Sequence, residues 1–318
     1  MREVKQIAVA GAGLMGHGIA QSFALKGYSV TLFDLHDSIL ERALSQIRSN
    51  METVVEAGLE KKENIEDVLS HIRVSSHLQE AVKKAHLVIE AAPEDLMLKR
   101  NLFEELEKVC LDDAILASNT STLPISEIGK KVKRKERLVI THWFNPPHII
   151  PIVEVVPGET TSTEVTEMTF GLLKKIGKKP IKILKEIPGF LINRIQTAMF
   201  REILSLLELG VATPEDIDAA VKGSFGVRLA VLGPLQTMDM GGLDLMYKGM
   251  NYLYPLIDRS VDVQKILGEK IGRNELGLKT GKGFFQYEQE EASALSRHSK
   301  ERDKQLLRLL KTLSQQGA

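Results

Sequence analysis

A glycine-rich turn near the start of the chain, in the stretch IAVAGAGLMGHGIAQ, constrains the fold more than any other feature. Apolar residues 7–10 before the turn predict a buried parallel strand, and the apolar residues after it recur at helical spacing. Between these elements, three glycines complete the pattern G-x-G-x-x-G: Gly11, Gly13 and Gly16. The chain is therefore predicted to begin with the strand–turn–helix unit of a parallel α/β sheet.

Each position of this turn suits the binding of a dinucleotide. Gly11 permits the sharp turn out of the strand, and Gly13 lets a pyrophosphate approach the backbone because it lacks a Cβ atom. Gly16 lets the helix pack closely on the sheet, and the free N–H groups of the helix then face the phosphates. The predicted cofactor contacts in the turn are Gly11, Gly13, Leu14, Met15 and Gly16.

An acidic residue, Asp34, ends the next apolar run, SVTLFD, 18 positions after Gly16. In dinucleotide-binding folds an acid at this place accepts hydrogen bonds from the adenosine ribose hydroxyls, and its charge repels a 2′-phosphate. The cofactor is thus predicted to be NAD rather than NADP. The alternative is a glycine turn in some other α/β protein, in which Asp34 merely caps a neighbouring group.

The charge balance and the cysteine content narrow the function classes. The 318 residues include 42 Lys and Arg and 42 Asp and Glu, so the formal net charge is zero. We therefore expect neither nucleic acid nor a membrane as a partner. The expected partner is a small-molecule substrate. The single cysteine, Cys110, is typical of a reducing compartment. Because no signal peptide precedes the first strand and no apolar run is long enough to span a bilayer, we expect a cytoplasmic location.

Strands and helices alternate along the first part of the chain, and the alternation stops at Ile187-Pro188-Gly189. This pattern predicts an α/β fold whose N-terminal Rossmann-type domain, residues 1–186, has a doubly wound, mostly parallel sheet. Residues 187–318 carry apolar residues at helical spacing and predict an all-α C-terminal domain. Within it, Thr213-Pro214-Glu215-Asp216 is typical of a helix N-terminus with a first-turn proline.

A long charged segment separates the second and third predicted strands. Residues 37–57 predict a long helix, and residues 58–72 predict a turn and a second, charged helix. Two interpretations remain open. The segment covers a bound molecule, or it is a solvated helical hairpin.

Two polar residues on neighbouring predicted strands, His142 and Glu154, form the candidate catalytic pair. His142 lies where RLVITH leaves the sheet and Glu154 lies 12 positions later, so the two strands are expected side by side. A carboxylate against an imidazole fixes its tautomer and favours its protonated form, as a general base requires. Oxidising an alcohol removes a proton, which His142 would take, and a hydride, which NAD would take.

Two further polar groups are candidates for hydrogen bonds to the reacting oxygen: the Ser121 hydroxyl and the Asn193 amide. Each of these residues also has a plainer interpretation. His142 and Ser121 would then be ordinary polar loop or turn residues, and Glu154 would face solvent on an edge strand. No histidine or cysteine cluster has zinc-ligand spacing, so no metal is predicted.

At these residues the chain resembles the 3-hydroxyacyl-CoA dehydrogenase family over nearly its whole length. The segments that carry the resemblance are GAGLMGHGIAQ, LVIEAAPEDLMLK, SNTSTLPISEI, THWFNPPHIIPIVEVV, PGFLINRI and LGLKTGKGFFQY. The resemblance implies that His142 is the catalytic base and that Glu154 orients it. It also implies that Ser121 and Asn193 line the substrate oxygen. Further cofactor contacts are implied at Asp34, Glu94, Lys99, Ser121, Asn145 and Lys279. The family's fold is a Rossmann domain followed by a helical domain that forms a dimer interface, so a homodimer is expected.

The same resemblance implies a substrate, a short-chain L-3-hydroxyacyl-CoA such as 3-hydroxybutyryl-CoA, and a place in fatty acid metabolism. Family members that bind coenzyme A carry basic residues along the hairpin after the ribose-binding acid. Here Ala57 stands before Gly58 where a lysine is expected, and Lys61 and Lys62 come later. Other segments are similar to the L-gulonate 3-dehydrogenase and lambda-crystallin branch, and L-carnitine dehydrogenases are a third relative. The alternatives are thus a dehydrogenase of a free 3-hydroxy acid and, in another class, a non-catalytic NAD-binding protein.

Overall fold

The structure, a computed structural model, describes residues 4–287 and 293–315. Contacts divide the chain into two compact units, the first ending at Asn193 and the second beginning at Arg194. Residues 190–193 belong to the first unit, in which the N–H groups of Leu191 and Ile192 donate to the buried Glu154 carboxylate. The domain boundary after residue 186, which rests on where strand–helix alternation stops, stays a prediction.

The first unit is built on an eight-stranded sheet with the order β3-β2-β1-β4-β5-β6-β7-β8. All neighbouring strands are parallel except β6 and β7, which confirms the predicted mostly parallel sheet. The strands are β1 (Gln6–Ala10), β2 (Ser29–Phe33), β3 (Ile72–Ser75), β4 (Leu87–Glu90), β5 (Ile115–Ser118), β6 (Leu138–Trp143), β7 (Ile152–Pro157) and β8 (Lys179–Lys182).

Helices cover both faces of this sheet. Side chains alternate along β1, so Ile7 and Val9 enter one apolar core while Ala8 and Ala10 enter the other. The first core is covered by α1, α2, α3 and α7, and the second by α4, α5 and α6. These helices are α1 (Gly16–Ala24), α2 (Asp37–Glu56), α3 (Asn64–Ser70), α4 (Leu78–Val82), α5 (Leu96–Val109), α6 (Ile125–Ile128) and α7 (Thr163–Lys175).

The second unit is helical, as predicted. Its first helix, α8, begins at Ile192 in the first unit and runs to Glu208. Thr213 is the N-cap of α9, and its hydroxyl oxygen accepts the Asp216 N–H at 3.1 Å, which agrees with the predicted helix start. The remaining helices are α9 (Pro214–Val221), α10 (Val227–Leu229), α11 (Pro234–Gly241), α12 (Leu243–Leu253), α13 (Lys265–Gly272) and α14 (Ser293–Gln315).

Large apolar side chains of the second unit are widely exposed. Leu209 and Tyr252 are both 73% exposed, and Val261 is 98% exposed. Isolated exposed apolar residues are normal, but so many within one unit are typical of a surface that is covered by another molecule. In the part of the chain that the structure describes, no helix combines the length and the apolar character needed to cross a lipid bilayer.

Candidate functional site

The glycine turn has the geometry that the sequence motif predicts. Gly11 has a φ of +112°, and a Cβ atom there would lie 2.5 Å from the carbonyl oxygen of Ala91. A Cβ atom on Gly16 would lie 1.7 Å from the carbonyl oxygen of Gly11. Both positions therefore exclude every other residue, since an L side chain would collide with backbone that cannot move away.

Gly13 and Asp34 face a large cleft in the first unit. A Cβ atom on Gly13 would meet no atom within 4 Å, so the backbone here is open to a ligand. The cleft has a volume of about 1550 Å³, and its lining includes Leu14 and Met15 as well as Gly11. Exposed backbone at the N-terminus of α1 and an adjacent carboxylate are what a dinucleotide requires, so these residues fit NAD.

The Asp34 carboxylate caps a neighbouring backbone group, which is the role that the alternative interpretation gives it. Its Oδ2 accepts the Ala12 N–H at 2.9 Å, which ties the end of β2 to the glycine turn. The carboxylate nevertheless lines the cleft, and its Oδ1 accepts no hydrogen bond from the described residues. A ribose hydroxyl therefore has an acceptor at this place, so the cap and the cofactor contact are compatible.

A buried ion pair lies behind the carboxyl ends of β4 and β5. The Lys99 ammonium donates to Glu90 Oε1 at 2.6 Å and to the Ala92 carbonyl oxygen at 3.2 Å, and it lies 3.4 Å from Glu94 Oε2. Lys99 is 1% exposed and Glu90 is fully buried. Burial raises the pKa of Glu90, although Lys99 and the Ser118 hydroxyl partly offset that effect. Lys99 thus has three acceptors inside the protein, and its direct contact with the cofactor stays a prediction.

Glu94 joins the loops that follow β4 and β5. Its Oε1 accepts the Thr120 hydroxyl at 2.6 Å, the Ser121 N–H at 3.1 Å, and the Thr122 N–H and hydroxyl at 3.0 and 2.9 Å. Desolvation raises the pKa of Glu94, but these donors and Lys99 outweigh it and hold the pKa below its usual value. Glu94 and Ser121 both line the cleft, as predicted for cofactor contacts.

His142 and Glu154 form a buried hydrogen-bonded pair. They lie opposite each other in the antiparallel β6–β7 ladder, as predicted. His142 Nδ1 lies 2.7 Å from Glu154 Oε2, and the two side chains are 3% and 0% exposed. Because a carboxylate only accepts hydrogen bonds, Nδ1 carries the proton and Nε2 is left with its lone pair. The interpretation that places Glu154 in solvent is wrong, because β8 covers the outer edge of β7.

The Glu154 carboxylate is itself fixed by the start of α8. Its Oε1 accepts the N–H groups of Leu191 at 3.1 Å and Ile192 at 2.9 Å. Free N–H groups at a helix N-terminus stabilise a negative charge, and these two bonds fix the orientation of the carboxylate. The imidazole also packs against the rings of Phe144 and Phe190, with centroids at 4.5 and 5.6 Å. The pair is therefore held on both sides, by the start of α8 at the carboxylate and by two aromatic rings at the imidazole.

The other two predicted catalytic residues contact each other. The Asn193 amide donates to the Ser121 carbonyl oxygen at 3.0 Å, so the start of α8 is joined to the loop after β5. Ser121 also donates its N–H to Glu94, and Ile192, next to Asn193, donates to Glu154, so the loop after β5 and the start of α8 connect the cleft lining to the His142–Glu154 pair.

Three other predicted contacts are not among the residues that line the cleft of the first unit. Asn145 is exposed in the loop 144–151 between β6 and β7. Lys279 is exposed in the second unit, between α13 and α14. Gly16 is buried beneath the turn, where it acts through packing on Gly11.

Several structurally important partners were not predicted from the sequence. Glu90 pairs with Lys99, and the Asn119 Oδ1 accepts the Trp143 N–H at 2.9 Å beside His142. Thr120 and Thr122 orient Glu94. A buried partner for Glu90 could have been predicted from the sequence, since a charge at the end of the apolar strand HLVIE is costly without one. Among the described residues, no three His, Cys, Asp or Glu side chains are grouped so as to hold a metal ion.

Models of two protein-family domains match this chain. The model described as the 3-hydroxyacyl-CoA dehydrogenase NAD-binding domain matches residues 6–187, and the corresponding C-terminal domain matches residues 189–287. The first match contains the glycine turn, the cleft and the His142–Glu154 pair.

Individual relatives differ in what they act on. A 5-formyl-3-hydroxy-2-methylpyridine 4-carboxylate 5-dehydrogenase of Mesorhizobium japonicum is 36% identical, over 92% of this chain and 94% of that protein. A 3-hydroxybutyryl-CoA dehydrogenase of Clostridioides difficile is 36% identical, over 89% of this chain and 99% of that protein. The human lambda-crystallin homolog is 36% identical, over 74% of each chain.

Two solved structures show the same division. That of the pyridine carboxylate dehydrogenase, described as an NAD+ dependent dismutase, has a TM-score of 0.90, with 33% identity over 98% of this chain and 99% of its own. That of a (S)-3-hydroxybutyryl-CoA dehydrogenase from Ralstonia eutropha has a TM-score of 0.74, with 31% identity over 90% of this chain and all of its own.

Proposed function

Since the chain belongs to the 3-hydroxyacyl-CoA dehydrogenase family, we propose that it oxidises a short-chain L-3-hydroxyacyl-CoA, such as 3-hydroxybutyryl-CoA, to the 3-ketoacyl-CoA. It is an NAD-dependent oxidoreductase. The observation that carries the proposal is the buried His142–Glu154 pair, with its 2.7 Å contact.

His142 serves as the general base in this proposal. Its Nε2 takes the proton of the substrate hydroxyl. Bound NAD would accept the hydride from the carbon that bears this hydroxyl. The positive charge that forms on the imidazole is stabilised by the Glu154 carboxylate at Nδ1. The Ser121 hydroxyl and the Asn193 amide hold the reacting oxygen, and the bond from the Asn193 amide to the Ser121 carbonyl oxygen holds the two residues next to each other.

The decisive test is NADH formation from L-3-hydroxybutyryl-CoA by the wild type and by His142→Gln. The variant is expected to lose most turnover while NADH still binds, because the imidazole touches the substrate proton and not the dinucleotide. His71→Gln, which replaces a histidine at the end of α3, is the matched control and should keep full turnover. Undiminished turnover in His142→Gln would refute the role of the base.

A dehydrogenase of a small carboxylate without coenzyme A is the second candidate. The TM-score of 0.90 to the pyridine carboxylate dehydrogenase, against 0.74 to the Ralstonia eutropha enzyme, favours it. Ala57 also stands at the C-terminal end of α2 where coenzyme A-binding members carry a lysine, and the exposed Lys61 and Lys62 follow one turn later. The His142–Glu154 chemistry suits either substrate. A hydroxyacyl thioester and a free hydroxy acid each present a hydroxyl whose proton His142 can take while the hydride leaves the carbon that bears it, and a formyl group presents such a hydroxyl once water has added to it.

Turnover with matched concentrations of L-3-hydroxybutyryl-CoA, L-gulonate, L-carnitine and 5-formyl-3-hydroxy-2-methylpyridine 4-carboxylate separates these candidates. The thioester is expected to be preferred, and Lys61→Ala with Lys62→Ala should raise its KM without changing KM for NAD. Preference for a free acid would establish the second candidate. No turnover with any of these four compounds, together with tight NADH binding, would indicate a non-catalytic protein of the lambda-crystallin kind.

We also propose that the chain forms a homodimer through its second unit and acts in the cytoplasm. The exposed apolar side chains of that unit, such as Leu209, Tyr252 and Val261, support the dimer because covering them from water is favourable. Cys110 supports a reducing location, since it is the single cysteine of the chain and no internal disulfide can form. The molar mass in solution tests the dimer directly.

A further inference from the structure

A loop with two roles connects the strands of the catalytic pair. Residues 144–151 run from the end of β6, next to His142, to the start of β7, which carries Glu154. The loop also carries Asn145, an implied cofactor contact whose side chain is exposed. The position of the loop therefore determines both where the strands of the pair end and where Asn145 lies.

The loop is held from below by a buried lysine. The Lys178 ammonium donates to the Pro147 carbonyl oxygen at 2.6 Å and to the Ile150 carbonyl oxygen at 3.0 Å. It also lies 5.3 Å from the ring centroid of Trp143, the last residue of β6. Two of these contacts are hydrogen bonds and the third is a cation–π contact, and all three go to the loop or to the strand end before it.

Two residues of α1 contact the same loop. The Ser22 hydroxyl lies 3.4 Å from the Pro147 carbonyl oxygen, and a Cβ atom on Gly18 would lie 2.7 Å from Pro147 Cγ. Since α1 is the helix whose N-terminus faces the cofactor phosphates, the loop is fixed relative to the dinucleotide turn. Lys178 supplies the only charged group in this set of contacts among the described residues.

The burial of Lys178 is costly. The residue is 8% exposed, and among the described residues no carboxylate forms an ion pair with its ammonium. Desolvation lowers the pKa of Lys178 to about 8. An unpaired cation in the interior is retained only where its contacts offset that cost, and here every contact goes to the loop or to Trp143.

We propose that Lys178 is a positioning residue that holds the loop 144–151 and thereby aims Asn145 at the cofactor. The inference rests on the proposed function, because the contact of Asn145 with NAD is part of that proposal. The lysine touches neither substrate nor cofactor and acts through the two loop carbonyl groups.

A double-mutant cycle on NADH binding tests this assignment. The dissociation constant is measured by NADH fluorescence for the wild type, Lys178→Met, Asn145→Ala and the double variant. Lys178→Met is expected to weaken NADH binding by roughly 10-fold to 100-fold, as misplaced contacts do. The double variant should bind no more weakly than Asn145→Ala alone, because the lysine acts through that residue. A merely structural lysine would instead give multiplied losses.

The matched control is Lys175→Met, which removes an exposed lysine at the end of α7 and should bind NADH as the wild type does. If Lys178→Met does not fold, the same cycle is run with Lys178→Gln, which keeps N–H donors on a shorter side chain. Wild-type affinity in the Lys178 variant, or multiplied losses in the double variant, would overturn the inference and leave the proposed function standing. Wild-type affinity in Asn145→Ala would overturn the cofactor contact, and this inference with it.

Discussion

Replacing Glu154 with Gln removes the charge of the buried carboxylate at almost constant volume. In the wild type, Oε1 accepts the Leu191 and Ile192 N–H groups and Oε2 faces His142 Nδ1 at 2.7 Å. A glutamine has one oxygen only. The two backbone donors are expected to keep that oxygen, so the amide N–H₂ group will turn toward His142.

An N–H₂ group opposite Nδ1 reverses the tautomer of the imidazole. Nδ1 must then accept a hydrogen bond, and the proton moves to Nε2, where the base is needed. The positive charge that forms during turnover also loses its neighbouring carboxylate. A neutral amide in the same role in a catalytic triad lowers kcat by about 10⁴-fold, and we expect a loss of about 10³-fold to 10⁴-fold here. That loss corresponds to ~4–5.5 kcal/mol of transition-state stabilisation.

The assay is kcat for NADH formation with the preferred substrate, beside a fluorescence titration of NADH binding. NADH affinity is expected to stay at the wild-type value, because Glu154 lies outside the cleft lining. Glu159→Gln, an exposed carboxylate after β7, is the control and should keep full turnover. A kcat of Glu154→Gln within tenfold of the wild type would refute the argument that the carboxylate sets the tautomer.

Three further predictions concern the cofactor site. Asp34→Ala should weaken NAD binding by roughly 10-fold to 100-fold, because charge-assisted hydrogen bonds are lost. Asp67→Ala is the control. An equal effect on the KM of the substrate would count against the ribose role of Asp34. Gly16→Ala should abolish folding or NAD binding, because a Cβ atom at this position would lie 1.7 Å from a carbonyl oxygen. Gly171→Ala, in open space on α7, should instead raise the free energy of unfolding by up to about 1 kcal/mol. Destabilisation of both variants alike, seen by thermal unfolding, would contradict the steric argument. The pKa of Glu94 in the folded protein is below its usual value of about 4.5. The ionised carboxylate therefore adds to the free energy of unfolding above that pH, and this contribution is lost as the pH falls through the folded pKa. The difference in Tm between the wild type and Glu94→Gln should therefore shrink in acid, and a difference that stays constant from neutral pH downward would disprove it.

Local chemistry explains what could be predicted before the structure was known. Gly11, Gly13 and Asp34 lie within one strand–turn–helix–strand unit, so their spacing alone brings them together. His142 and Glu154 are joined by one short loop, and their opposition in the ladder follows from two adjacent strands. Such features depend on few residues and on short-range geometry, which a single sequence contains.

Other partners come together only when distant segments pack. Glu94 and Thr120 are 26 positions apart, Glu90 and Ser118 are 28 apart, and Lys178 and Pro147 are 31 apart. Nothing in their local sequence identifies which donor meets which acceptor, because the pairing depends on which strands become neighbours in the sheet.

The sequence by itself determined the nucleotide turn, the strand–helix alternation and the change to helices, because each depends on local backbone preferences and periodicity. The choice of His142 as the candidate base rested on its place at a strand end and on the family resemblance. The tertiary structure alone decided that Lys99 and Lys178 are buried cations, that α8 fixes the Glu154 carboxylate, and that the second unit exposes its apolar side chains. Burial and charge pairing are properties of the packed chain, since they depend on which groups exclude water from one another.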